Sequence, residues 1–144
     1  MNFDAYPDEE EEFVFIDPSY LDCVLAAGDE GDLPALRVWC AGLPQDSYGR
    51  VFVRVDSSAQ IEPLPAPPNV GVTWLCQEEL GEESRAKAPG QLLVGAVDAW
   101  LDEWMRADPL SGRRFRMWTG AIHCPLVRDY WHRVATEAAE ISTA

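Results

Sequence analysis

Lysine is nearly missing from this chain. Lys87 is the single example, and 11 basic residues face 25 acidic ones for a net charge of −14. Nucleic-acid backbones and anionic membrane surfaces attract clustered Lys and Arg, so neither is expected as a partner. The one lysine stands in no GxxxxGK[ST] pattern, which excludes a P-loop. Histidine is limited to His123 and His132, and the cysteines at 23, 40, 76 and 124 never fall at CxxC spacing. No metal site is therefore expected, and Cys23, Cys40 and Cys76, which sit in apolar stretches, read as small buried hydrophobes. No GxSxG occurs, so a nucleophile-elbow hydrolase is out. No apolar run reaches the roughly 18 to 20 residues that span a bilayer. The start, MNFDAYPDEEEEF, has neither the basic residues nor the apolar stretch of a secretory leader. A cytoplasmic protein without a disulfide framework is the expectation.

What is present is enough for one domain with a real core: 144 residues, 47% of them hydrophobic. Residues 1–18 read as an acidic mobile tail and lead-in, and residues 19–144 as the folded domain. LDCVLAAGD is a short apolar run ending in glycine, the pattern of a strand buried on both faces. LPALRVWCAGL places Pro34 in a first helical turn behind Asp32, a natural N-cap, with Leu33, Leu36, Val38, Trp39 and Cys40 as its apolar face and Gly42 closing it. GRVFVRVDS alternates as a strand, IEPLPAPPN is too proline-rich for helix or central strand, and VGVTWLCQ is a third strand. EELGEESRAKAPG reads as a surface loop.

GQLLVGAVDAWLDEWM repeats apolar residues at helical spacing, RRFRMWTGA is a fourth strand, and HCPLVRDYWHRVATEAAE is a closing helix. Strands alternating with helices predict an α/β protein: a three-layer αβα, Rossmann-like domain on a mostly parallel sheet of four to five strands.

In such sheets ligands bind beyond the carboxyl ends of strands, at helix N-termini. That makes Gly28, Asp29, Glu30 and Gly31, in the turn after the first strand, the candidate nucleotide cradle. Asp56, ending the second strand, stands where an acid bonds an adenine ribose and would favour NADH over NADPH. Thr119 and Gly120, ending the fourth strand, complete the candidate set. Arg113, Arg114 and Arg116 flank that strand as potential phosphate contacts. Against a phosphate stand Asp29, Glu30 and Asp32, each opposing it by about a kilocalorie or more at 4 to 6 Å. No catalytic residues emerge. Trp104 and Trp131, on charge-rich helix flanks, are the candidate exposed aromatics for a protein partner.

LAAGDEGDLPALRVWCAGLP, then VFVRVDSSAQIEPLPAPPNVGVTWL, then a helix and RMWTGA resemble the C-terminal domain of siderophore-interacting proteins. The most specific piece is Gly28-Asp29-Glu30 followed by Leu33-Pro34-Ala35. The resemblance runs over residues 19 to 138 and implies the nucleotide-binding domain of ferredoxin-reductase type found in flavin-dependent ferric-siderophore reductases. Three departures qualify it. Only 18 residues precede the match, so no FAD domain is expected in this chain. No glycine-tyrosine-tryptophan segment follows the last helix, and Tyr130-Trp131 lies inside it. Gly31-Asp32 stands where the family has threonine-alanine, and Thr119-Gly120-Ala121 where it has alanine-glycine-glutamate.

Without a flavin there is no hydride acceptor, because cofactors carry this redox chemistry. The leading expectation is a stand-alone, non-catalytic binding or accessory module linked to iron and siderophore metabolism, with a protein partner. The alternative is the NAD(P)H-binding half of a split reductase whose flavin resides in a separate protein. A third reading has the acidic tail dock onto a basic surface.

Overall fold

The computed structural model describes residues 22–82, 88–103 and 114–143. The expected tail and lead-in, Trp104 and Arg113 lie outside these. The first strand, β1, is Asp22–Asp29, and it runs through a 3-10 turn, Glu30–Asp32, into α1, Leu33–Ala41. Next come β2 (Tyr48–Val55), β3 (Asn69–Cys76), α2 (Pro89–Leu101), β4 (Arg114–Thr119) and α3 (Pro125–Thr143). The strands form one four-stranded sheet in the order β3-β2-β1-β4. Every pairing is parallel. This is the expected α/β class.

The chain moves from β1 outward to β2 and β3, then returns across the sheet to β4 on the other side of β1. Crossovers of one hand moving in opposite directions must lie on opposite faces. Accordingly Val24, Ala26, Val51, Val53 and Val55 pack with Leu33, Leu36 and Cys40 of α1. Cys23, Leu25, Ala27 and Phe52 pack instead with Leu93, Val97 and Trp100 of α2 and Val127, Tyr130 and Trp131 of α3. Three layers result. Each fully buried leucine or valine contributes about 1.5–3 kcal/mol of transfer free energy to this double core. Tyr130 also donates its hydroxyl to Asp98 Oδ1 at 2.8 Å, tying α3 to α2.

Two expected faces shift. Val38 is 75% exposed, because Leu33, Leu36 and Cys40 already fill the buried stripe of α1. Trp131, expected to be exposed, is 7% exposed, and its Nε1 donates to Gly120 O at 2.9 Å. Its ring belongs to the sheet-facing side of α3, which the charge-rich flanking sequence disguises. The proline segment between β2 and β3 is extended as expected, with Leu64 and Ala66 packed onto the α1 side. Among the described residues no helix is long and apolar enough to cross a membrane.

Candidate functional site

Because β1 leads to β2 on one side and neighbours β4 on the other, the switch point lies between the carboxyl ends of β1 and β4. The structure brings six of the predicted residues to that edge. Gly28 and Asp29 end β1, Glu30 and Gly31 open the turn, and Thr119 ends β4 with Gly120 just past it. Gly120 N donates to Ala27 O at 2.8 Å, which holds the two strand ends together. Asp56 stands apart, exposed past the end of β2.

The turn is self-capped. Asp29 Oδ1 accepts from Gly31 N at 3.0 Å and so satisfies one of the turn's otherwise unpaired N–H groups. Asp32 occupies the N-cap position of α1, yet its side chain makes no cap hydrogen bond to that helix. It turns back instead. Asp32 Oδ2 accepts from Asp29 N at 2.9 Å and from Ala121 N at 2.8 Å. One carboxylate oxygen therefore joins the end of β1 to the loop after β4, across 89 positions of sequence.

The glycines explain how it fits. A Cβ on Gly28 would lie 2.8 Å from Asp32 Oδ2, and one on Gly120 would lie 2.6 Å from the same atom. Ala121, which donates the second bond, holds φ 54, a left-handed conformation that costs a non-glycine residue about 1–2 kcal/mol. The crevice thus has a narrow floor of two glycines, two inward N–H groups and a carboxylate seated upon them. This replaces the expectation of Asp32 as a helix cap.

Charge is crowded here. Burial, followed by the neighbouring Asp32 carboxylate, pushes the Asp29 carboxyl above its ordinary range, with Glu30 adding to the rise. His123 Nε2 lies 3.1 Å from Asp29 Oδ2 and acts in the opposite direction. Glu30 Oε1 faces Arg54 Nη1 at 3.6 Å. Arg54, whose side chain is only 10% exposed, also donates from Nη2 to Asp56 Oδ1 at 2.5 Å and from Nε to Gln77 Oε1 at 3.4 Å. A buried guanidinium is tolerable only when so surrounded.

Sequence reasoning passed over Arg54 and His123. Arg54 carried a legible signal: a charge on the inward-alternating side of a hydrophobic strand must find partners. His123 carried none, since only the fold places it against Asp29. Arg116 is exposed, and Arg114 begins β4 at its amino end, opposite the site. On the far side of the sheet, Cys76, Glu78 and Glu79 bring ligand atoms within 4.8 Å of one another. There Cys76 is buried, and Glu78 already accepts from the Ser58 backbone and hydroxyl.

A parallel sheet sandwiched by helices, with a glycine-floored crevice at its switch point, defines a doubly wound domain of the Rossmann-like class. The family model of siderophore-interacting proteins matches residues 21–121, and the chain belongs to that family. Uncharacterized proteins of Mycobacterium bovis and Mycobacterium tuberculosis are each 35% identical over 81 residues. The matched segment is 54% of this chain and 29% of each relative. Among solved structures, the siderophore-interacting protein SipS from Aeromonas hydrophila aligns over 74% of this chain and 39% of its own. It has 22% identity and a TM-score of 0.45. A siderophore utilization protein from T. fusca aligns over 74% and 47%, with 22% identity and a TM-score of 0.43.

Proposed function

We propose that this chain is a non-catalytic accessory module of siderophore-linked iron metabolism whose crevice is sealed against a dinucleotide. The family supports the metabolic setting. One observation supports the sealing. The Asp32 carboxylate uses the two N–H groups that an incoming phosphate would need, and its oxygen rests against Gly28 and Gly120. A pyrophosphate would have to displace that carboxylate and then sit among Asp29 and Glu30 as well. Such like-charge contacts cost about a kilocalorie or more each in partly solvated surroundings. A module of this kind acts through a protein partner, of which a separate flavin protein is one candidate.

A second reading, the NADH-binding half of a split reductase, draws on Asp56. Its carboxylate is exposed past the end of β2, the place from which an acid bonds a ribose. Titration of NADH and NADPH, followed by tryptophan fluorescence, separates the two. Flat curves into the millimolar range are expected for the native chain. Saturable binding by the native chain would overturn the sealed-crevice reading and favour the reductase half.

A further inference from the structure

The outward face of α1 lies on the opposite side of the sheet from α2 and α3, and acid is nearly missing from it. No Asp or Glu occurs between Asp32 and Asp46, and Glu62 is the one acid between Asp56 and Glu78. These two stretches adjoin in space, because Arg37 of α1 is ion-paired with Glu62. Each presents an apolar edge to solvent. On α1 the core takes Leu33, Leu36 and Cys40, which leaves Pro34, Val38 and Ala41 outside, with Val38 75% exposed. The segment after β2 is extended, so successive side chains alternate between sides. Leu64 and Ala66 pack inward on the α1 core, while Ile61, Pro63 and Pro65 are exposed. Apolar residues scattered singly need no explanation, but a continuous apolar face marks an interaction surface.

Charge selects the occupant. The surplus of acid, 25 residues against 11 basic ones, lies mostly elsewhere on the chain. At physiological ionic strength the screening length is about 8 Å, so repulsion acts chiefly between charges that face each other. Two copies can therefore close where neither presents an excess of acid. A twofold interface also sets one patch against itself, so a patch of a single sign would repel its own copy. Here the charges are one Arg and one Glu, side by side and half-exposed.

We infer that this chain forms a twofold-symmetric dimer through the outer face of α1 and the segment 61–65. An axis beside the ion pair sets Arg37 of one protomer against Glu62 of the partner subunit, and the reverse. Val38 and Ile61 of both protomers then close the apolar centre. The strip is narrow, and interfaces below about 1,200 Å² give weak, transient complexes. Dimerisation through this face does not depend on whether the crevice is sealed.

Sedimentation velocity of the full chain over about 5 to 500 µM should show a monomer–dimer equilibrium that follows mass action. Val38→Lys puts a charge in the apolar centre and should raise the dissociation constant about tenfold or more. The variant should melt with the native chain at concentrations where both are monomers. Mixing tests the charge pairing. Arg37→Glu presents two acids and Glu62→Arg two bases, and loss of a surface ion pair leaves the fold nearly as stable. Each variant alone should stay monomeric, and an equimolar mixture should dimerise. A native chain that remains monomeric throughout would overturn the dimer. So would association that Val38→Lys leaves unchanged, or a mixture no more associated than its components.

Discussion

Replacing Asp32 by alanine tests the crevice most directly. In the native chain a single oxygen, Oδ2, accepts from Asp29 N at 2.9 Å and Ala121 N at 2.8 Å. Alanine leaves both donors facing a carboxylate-shaped hole. Each stranded buried donor costs about 1–3 kcal/mol. Relief of the repulsion between Asp32 and the raised Asp29 carboxyl returns part of that cost. The net loss should be about 2 kcal/mol, which for a domain of this size lowers the melting temperature by about 6–8 °C. Asparagine should do far less harm, because its carbonyl oxygen can take the place of Oδ2 and only the charge is lost. Formate matches the missing group in size and charge. About 100 mM formate should therefore recover part of the lost melting temperature in Asp32→Ala while leaving the native chain unmoved, as expected of a ligand that binds only the folded state. Differential scanning fluorimetry suffices. An unchanged melting temperature in Asp32→Ala, or a formate effect of equal size in the native chain, would refute the assignment.

The same geometry makes other changes informative. A methyl at Gly120 would meet Asp32 Oδ2 and Trp118 Cζ3 at 2.6 Å and Ala27 O at 2.9 Å, so Gly120→Ala should cost about 1–3 kcal/mol by urea denaturation. In combination with Asp32→Ala its cost should shrink, because one of the clashing atoms is gone. Trp131→Phe removes the donor that satisfies Gly120 O and should cost about 1–2 kcal/mol in the same assay. Leu36→Ala should cost about 2–5 kcal/mol, whereas Val38→Lys, at a site 75% exposed, should stay within about 0.5 kcal/mol.

The Asp29 carboxyl is raised, so the folded chain holds that proton to higher pH than the unfolded chain does. Its ionisation therefore subtracts stability as pH rises above the ordinary carboxylate range, and acidification into that window returns it. Asp29→Asn should raise the melting temperature at neutral pH and flatten its dependence between the ordinary and the raised pKa. A steeper dependence in the variant would count against burial as the cause.

Local signals were legible because they are made by neighbours. The turn from β1 into α1, Pro34 in the first helical turn and the proline-rich link before β3 each follow from residues within one short window. The layer order also followed, since alternating strands and helices leave few other arrangements. Asp32 was misread for the complementary reason. Capping is the local use of an aspartate before a helix, but its partner at Ala121 arrives from 89 positions away. Trp131 and His123 share that history, as each takes its place from a strand end or turn that no nearby residue announces.

The glycines bring these strands of reasoning to one point. Gly28 and Gly120 read in sequence as members of the candidate nucleotide-binding set. In the folded chain the chain's own Asp32 Oδ2 stands 2.8 and 2.6 Å from where their Cβ atoms would be, and at Gly120 Trp118 Cζ3 and Ala27 O crowd the same position. Glycine at a switch point is therefore evidence of an anion close to the backbone, and it does not say whose anion. Here an internal carboxylate meets that requirement, and it also fastens β1 to the loop after β4. Opening the crevice to a nucleotide would mean surrendering that fastening. Under the proposed function, stability and dinucleotide binding are opposed at Asp32.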